Sequence, residues 1–228
     1  MVYFLQKENS TFPEPDFADE DGLLAVGGSM SVERLITAYS SGIFPWFSVD
    51  DIPFWYAPDP RFVLFPDQLK IAKSMQQLIK RNAFRVSFDT CFEEVIRQCA
   101  TMERQDDADT WITGDFIHAY TKLHDAGFAH SVEVWNGDNL VGGLYGIALG
   151  KIFAGESMFS LESNSSKYGF IALVQKLRSM QFLLVDCQVH TPHLEKMGAV
   201  EIPRKDFMDI IYQNNRLMQE SGNSKVIF

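Results

Sequence analysis

The sequence predicts an α+β protein, a mixed sheet with helices packed on it. Three observations carry that expectation. Residues 129 to 158 contain three strand-like runs joined by tight turns. A helix-like stretch follows, and then Phe182-Leu183-Leu184-Val185-Asp186, a short apolar run of the buried-strand type. The chain has 228 residues, 46% apolar and 22% charged, which is enough to bury a sizeable core.

Taken in order, the first 60 residues are turn-rich, punctuated by Pro13, Pro15, Gly22, Gly27, Gly28, Gly42, Pro45, Pro53, Pro58 and Pro60. They read as a small irregular N-terminal domain over residues 1–62, with the main domain over 63–228. One short helix fits there, capped by Ser31, running from Val32 to Ser40 and ended by Gly42. From Ile71 to Arg81, Ile71, Met75, Leu78 and Ile79 share one helical face, and Lys70, Lys73, Gln77, Lys80 and Arg81 the other. Phe84 to Phe88 alternates like a strand. Thr90-Cys91-Phe92-Glu93 has capping-box spacing and predicts a helix to about Ala100.

Thr113 caps the next predicted helix, with Phe116, Ile117, Tyr120 and Leu123 as its apolar stripe and Gly127 as its end. The strand from Ala129 to Trp135 closes at Asn136-Gly137, a hairpin signal. Leu140 to Leu149 and, after Gly150-Lys151, Ile152 to Met158 complete a meander. Asn164 or Ser165 caps a helix carrying Phe170, Ile171, Val174 and Leu177. The apolar run at 182–186, a short helix near His193, a strand near Ala199 and a helix from Asp206 follow. Meander, helix, strand is the order of the Gcn5-related N-acetyltransferase fold, which is the predicted architecture.

Composition excludes several classes. No stretch approaches the roughly 20 apolar residues of a membrane span. Cys91, Cys99 and Cys187 form no CxxC pair, so neither a disulfide framework nor a structural zinc is expected, and the cytoplasm is the expected compartment. A net charge of −10 opposes bulk nucleic-acid binding. Residues 67–85, however, set Lys70, Lys73, Lys80, Arg81 and Arg85 against Asp67 alone, a local +4 that leaves −14 elsewhere. Such a cluster on an acidic protein fits one anionic partner at one place.

Asp186 and Gln188, two apart on a strand, are expected to point to one face. An ionised Asp186 can accept from the Gln188 amide and aim its carbonyl at an attacking amine; alternatively the two satisfy backbone groups at a strand end. Glu156 can act as a general base, hold a cationic substrate, or remain a solvated carboxylate. Ser157 lacks the Gly-x-Ser-x-Gly context of a hydrolase nucleophile. His190 and His193, separated by Pro192, have no further ligand cluster, so no metal is expected. Ser163 to Gly169 lacks the glycine-rich pyrophosphate loop of a coenzyme A acyltransferase. Trp46 and Trp111 can stack on bases, or pin the small domain onto the large one.

Several motifs together resemble the leucyl/phenylalanyl-tRNA–protein transferase family. They are Asp21 to Gly28, Gly42-Ile43-Phe44-Pro45-Trp46-Phe47, Pro58-Asp59-Pro60-Arg61, Thr110-Trp111-Ile112-Thr113, His130 to Trp135, Gly155 to Ser160, and Asp186-Cys187-Gln188-Val189. The resemblance implies an enzyme that moves Leu or Phe, and less well Met, from aminoacyl-tRNA to proteins with N-terminal Arg or Lys, marking them for degradation. It implies a cytoplasmic monomer, off the membrane, that needs no metal, coenzyme A or other cofactor. By position, Trp46 and Trp111 would sandwich the terminal adenosine. Leu144, Phe153, Met158, Leu173, Leu177 and Val185 would line the side-chain pocket. Asp186 would polarise Gln188, Gln188 would engage the acceptor amine, and Glu156 would orient that amine or the basic residue. Lys73, Lys80 and Arg81 would contact the acceptor stem. Leu144, Leu173 and Leu177 stand where relatives carry Met or Phe, and Gln76 and Gln77 where a member can carry basic residues.

Overall fold

The computed structural model describes residues 2–50, 52–102 and 112–228. The N-terminal third is less irregular than its turns predict. Strands β1 (Tyr3–Leu5), β2 (Leu23–Gly27), β3 (Phe44–Val49) and β4 (Ile52–Tyr56) form a sheet in the order β1-β2-β4-β3, and helix α1 (Val32–Ser40) links β2 to β3. Each strand is short and two carry a proline, so local alternation is weak. The pairing is long-range: β1 runs parallel to β2, and β2 pairs with β4 across α1. Helix α1 starts as expected, with the Ser31 hydroxyl accepting from the Arg34 N–H at 3.2 Å.

The remaining elements follow the sequence more closely. They are β5 (Arg61–Leu64), α2 (Lys73–Lys80), β6 (Arg85–Phe88), α3 (Phe92–Thr101), α4 (Gly114–Asp125), β7 (Ala129–Asn136), β8 (Asn139–Leu149) and β9 (Ile152–Ser160). Then come α5 (Ser165–Ser179), β10 (Leu184–Gln188), α6 (Pro192–Lys196), β11 (Val200–Ile202) and α7 (Arg204–Ser221). The seven-stranded sheet has the order β11-β5-β10-β9-β8-β7-β6. β7, β8 and β9 form the antiparallel meander, and β10 returns beside β9 in parallel after α5. This is the mixed α+β layout of the Gcn5-related order. β5, which begins at Arg61, pairs with both β10 and β11, so the expected division after residue 62 falls inside a strand of the large sheet.

Side chains alternate across the large sheet. Leu144, Phe153 and Val185 join Leu173 and Leu177 of α5 and Met75 of α2 in one core. Tyr145, Ala154 and Phe159 join α3, α4 and the first sheet in another. The two sheets therefore share a core. At α3 the Thr90 capping box does not form. Cys91 is the N-cap, and buried Glu133 of β7 accepts from the Thr90 and Cys91 N–H groups at 3.2 and 3.4 Å. A tertiary carboxylate has replaced the local cap.

Gly146 marks a bulge where the β8–β9 register shifts. A Cβ there would overlap the Ala154 carbonyl oxygen and meet the Phe153 ring at 2.5 Å. Gly146→Ala is therefore expected to destabilise the protein by about 1–3 kcal/mol, read as a lower midpoint in urea. An unchanged midpoint would refute the close approach.

Candidate active site

Two bulges on adjacent parallel strands build the site. On β9, Ser157 faces Tyr145 and Gly155 faces Gly146, which leaves Glu156 between them without a partner on β8. On β10, Asp186 faces Val63 and Gln188 faces Phe62, which leaves Cys187 between them. Bulges re-aim side chains, and these two turn Glu156 and Gln188 toward each other. Gln188 has φ +65°, and the Val189 N–H donates to the Cys187 carbonyl at 2.8 Å, a γ-turn centred on Gln188. Its Nε2 donates to Glu156 Oε1 at 2.9 Å.

This geometry corrects the expected couple. A period of two would place Asp186 and Gln188 on one face, but the bulge breaks the period. Asp186 does not take the Gln188 side-chain amide. Its Oδ1 accepts from the Gln188 backbone N–H at 3.0 Å. Arg61 of β5 grips the same carboxylate in bidentate fashion, Nε to Oδ1 at 2.8 Å and Nη2 to Oδ2 at 2.7 Å. Arg61 and Asp186 are 1% and 3% exposed, and the guanidinium lies 4.6 Å from the ring centres of both Phe44 and Phe207. Asp186 thus anchors the Gln188 turn from the opposite side.

Glu156 holds the amide instead. It also accepts from the Tyr39 hydroxyl at 2.8 Å and the Tyr120 hydroxyl at 3.0 Å. Burial first, and the charge of Asp186, push its carboxyl up from 4.5 to about 7, against the pull of those donors. A carboxyl poised there exchanges protons near neutral pH.

The two turned side chains sit on the wall of a cavity of about 370 Å³. Leu144, Phe153, Met158, Leu173 and Val185 line it, and Trp46 of β3 lies along it. Leu177 does not line it. One helical turn beyond Leu173, about 6 Å along the axis, it is fully buried in the core. Trp111 lies outside the described residues. Lys73, Lys80 and Arg81 are exposed, at and just beyond α2, while Met75 fixes that helix to the core that also holds Leu144, Phe153 and Leu173.

Sequence reasoning missed Arg61, Tyr39, Tyr120 and His193. Arg61 stood in a quoted motif and opened an apolar strand, which was the available signal. Tyr120 read as part of an apolar helix stripe, and Tyr39 only as one residue of the first helix. His193 lines the cavity from α6, and burial, with Lys167 and Lys196, lowers its pKa so that the ring is neutral at neutral pH. Among the described residues no three His, Cys, Asp or Glu side chains gather as a metal site requires.

Residues 63–212 match the family model described as leucyl/phenylalanyl-tRNA protein transferase, and residues 28–59 match that of its N-terminal domain. The chain is similar to the leucyl/phenylalanyl-tRNA–protein transferase of Pseudomonas fluorescens (strain Pf0-1), 51% identical over 213 residues, 92% of this chain and 94% of that one. It is 50% identical over 208 residues to that of Anaeromyxobacter sp. (strain K), covering 91% and 89%. Among solved structures, L-PGS from Bacillus licheniformis aligns at TM-score 0.41 and 11% identity over 74% of this chain and 54% of that one.

Two outcomes test the electrostatics. Arg61→Ala strands a buried carboxylate and should cost about 3–5 kcal/mol, measured by urea unfolding. A cost near zero would mean that Asp186 finds other partners. Glu156 is the opposite case. Its unfolded form ionises near 4.5 and its folded form near 7. The folded state binds the extra proton in that window, so this group's contribution to stability falls as pH rises through it. Glu156→Gln, which keeps an acceptor for the tyrosines, should therefore gain in melting temperature relative to the unsubstituted protein on going from about pH 5 to about pH 8. A constant difference across that range would contradict the raised carboxyl.

Proposed function

The chain belongs to the leucyl/phenylalanyl-tRNA–protein transferase family, and on that premise we propose that it moves Leu or Phe, and less well Met, from aminoacyl-tRNA onto the α-amine of proteins beginning with Arg or Lys, so marking them for degradation. The observation that carries this reading is the cavity: an apolar floor that ends against one hydrogen-bonded carboxylate–amide pair, Glu156 and Gln188. An apolar side chain fits the floor, and an amine fits the pair.

The aminoacyl ester is already activated, so the protein's work is alignment and proton handling. Leu144, Phe153, Met158, Leu173 and Val185 take the transferred side chain, and charged side chains are rejected by the cost of desolvation. Trp46 takes the terminal adenosine by stacking, with Trp111 as its proposed second face. Gln188 offers its side-chain carbonyl to the acceptor amine while its amide N–H group stays on Glu156. Asp186, held by Arg61, keeps Gln188 in its turn. Lys73, Lys80 and Arg81 meet acceptor-stem phosphates, a contact that does not depend on tRNA sequence. No helix among the described residues is long and apolar enough to cross a membrane. The cytoplasm, where aminoacyl-tRNA is made, is the proposed compartment.

Incubation with labelled Leu-tRNA should place Leu on an Arg-initiated peptide, and folded protein that binds both substrates without transfer would refute the reading. Lys80→Ala with Arg81→Ala should weaken tRNA binding and flatten its salt dependence, while leaving a short aminoacyl-adenosine analogue unaffected. Equal loss for both ligands would mean that the helix acts through folding.

A further inference from the structure

The hydroxyls of Tyr39 and Tyr120 lie 2.6 Å apart and each reaches a different oxygen of Glu156. They come from separate elements. Tyr39 is on α1, beside the first sheet, and Tyr120 is on α4. Both are buried, at 7% and 0% exposure. Burial first, and the Glu156 charge next, push both phenols well above 10, so they remain protonated donors throughout the neutral range. The other groups facing this cluster are Gln188, whose amide donates to Glu156, Asp186, whose charge Arg61 compensates, and Tyr145, whose ring packs edge-on against Tyr120.

We propose that Tyr39 and Tyr120 are positioning residues that keep Glu156 ionised at the cavity wall, so that Glu156 takes the proton from the acceptor's α-ammonium. This deepens the transferase reading and rests on it. The step balances as follows. One N–H bond of the ammonium breaks and an O–H bond forms on Glu156. The freed lone pair bonds to the ester carbonyl carbon. The tetrahedral adduct then collapses, breaking the bond to the ribose oxygen. A second proton leaves the nitrogen for that oxygen, giving an amide and a free tRNA hydroxyl. Glu156 afterwards returns its proton to solvent.

The chemistry calls for this arrangement. An α-ammonium ionises near about 8, so an ordinary carboxylate near about 4.3 would take its proton poorly. Burial corrects that mismatch, since a base works best with a pKa close to the working pH. Burial alone overshoots, because it leaves the carboxyl neutral and unable to accept. The two hydroxyl donors favour the ionised form and bring it back.

Tyr39→Phe and Tyr120→Phe, assayed for transfer of labelled Leu to an Arg-initiated peptide across the neutral range, test this. The pH profile of kcat/KM reports groups of the free reactants. The acidic limb is expected to move up by about one unit in each variant, a loss of about tenfold on the acid side that fades above about pH 8.5. The alkaline limb, which belongs to the peptide amine, should stay in place, and Glu156→Gln, left with only the neutral amine, should lose the bell shape and rise with pH through the amine's own ionisation near about 8. A loss equal at every pH in variants that melt normally would overturn the proposal in favour of a packing role. So would an unmoved profile, or a bell that keeps its original acidic limb in Glu156→Gln. Absence of transfer by the unsubstituted protein would overturn the transferase reading and this step with it, whereas an unmoved limb in an active protein overturns only the role of the hydroxyls.

Discussion

The Arg61–Asp186 ion pair is the constraint on which the site depends. Two carboxylates, Asp186 and Glu156, stand on neighbouring strands. Arg61 meets one of them with both arms of its guanidinium. Removing such a pair from water is costly, and only bidentate geometry with further hydrogen bonds makes it tolerable. Here the aromatic rings of Phe44 and Phe207 close over the cation and the Gln188 backbone N–H adds a donor to the anion. With Asp186 committed, its charge still reaches Glu156 and adds to the effect of burial. One carboxylate becomes scaffold and the other is left to exchange protons.

The same pair explains how a rare backbone shape persists. A non-glycine residue at φ +65° is strained, at a cost of order 1–3 kcal/mol. Gln188 holds it because its N–H is fixed to Asp186 and the following N–H closes the γ-turn. The strain has a chemical return. It swings the Gln188 side chain off the face that Asp186 occupies and onto the cavity wall beside Glu156.

Much of the large sheet was legible because its signals are local. Asn136-Gly137 and Gly150-Lys151 supply the positive-φ turns of the meander, with Gly137 at φ +59° and Gly150 at +61°. The apolar run ending at Asp186 is the buried β10. The first sheet was illegible because β1 and β2 find their partners far along the chain, and Pro45 and Pro53 obscure the local β3–β4 hairpin. In the site, the resemblance placed six pocket residues by position, and five of them, Leu144, Phe153, Met158, Leu173 and Val185, line the cavity. Leu177 failed because helical periodicity fixes a face and says nothing of depth. The Asp186–Gln188 couple failed because alternation assumes an unbroken strand, and no local residue pattern announced the bulge at Cys187. Arg61 could be suspected only from its motif, because its partner lies 125 residues away.

The functional side chains do not respect the two sheets. Glu156 and Gln188 belong to the large sheet, but Tyr39, Phe44 and Trp46 come from α1 and β3, and Arg61 stands at the first position of the strand that leads from one sheet into the other. The N-terminal elements contribute a hydroxyl on Glu156, a ring over the guanidinium and an indole along the cavity, while Arg61, at the edge of β5 in the large sheet, supplies the cation that neutralises Asp186. A chain lacking the first 62 residues would lose Phe62, the partner of Gln188 across the β10 bulge, and leave Asp186 as an uncompensated buried charge. That charge favours water or a proton over its present fold. The anchor of the Gln188 turn would fail first, and the Glu156–Gln188 contact would follow. The N-terminal sheet and α1 are therefore a structural part of the site, because the Tyr39 hydroxyl on Glu156 and the Phe44 ring over Arg61 come from outside the large sheet.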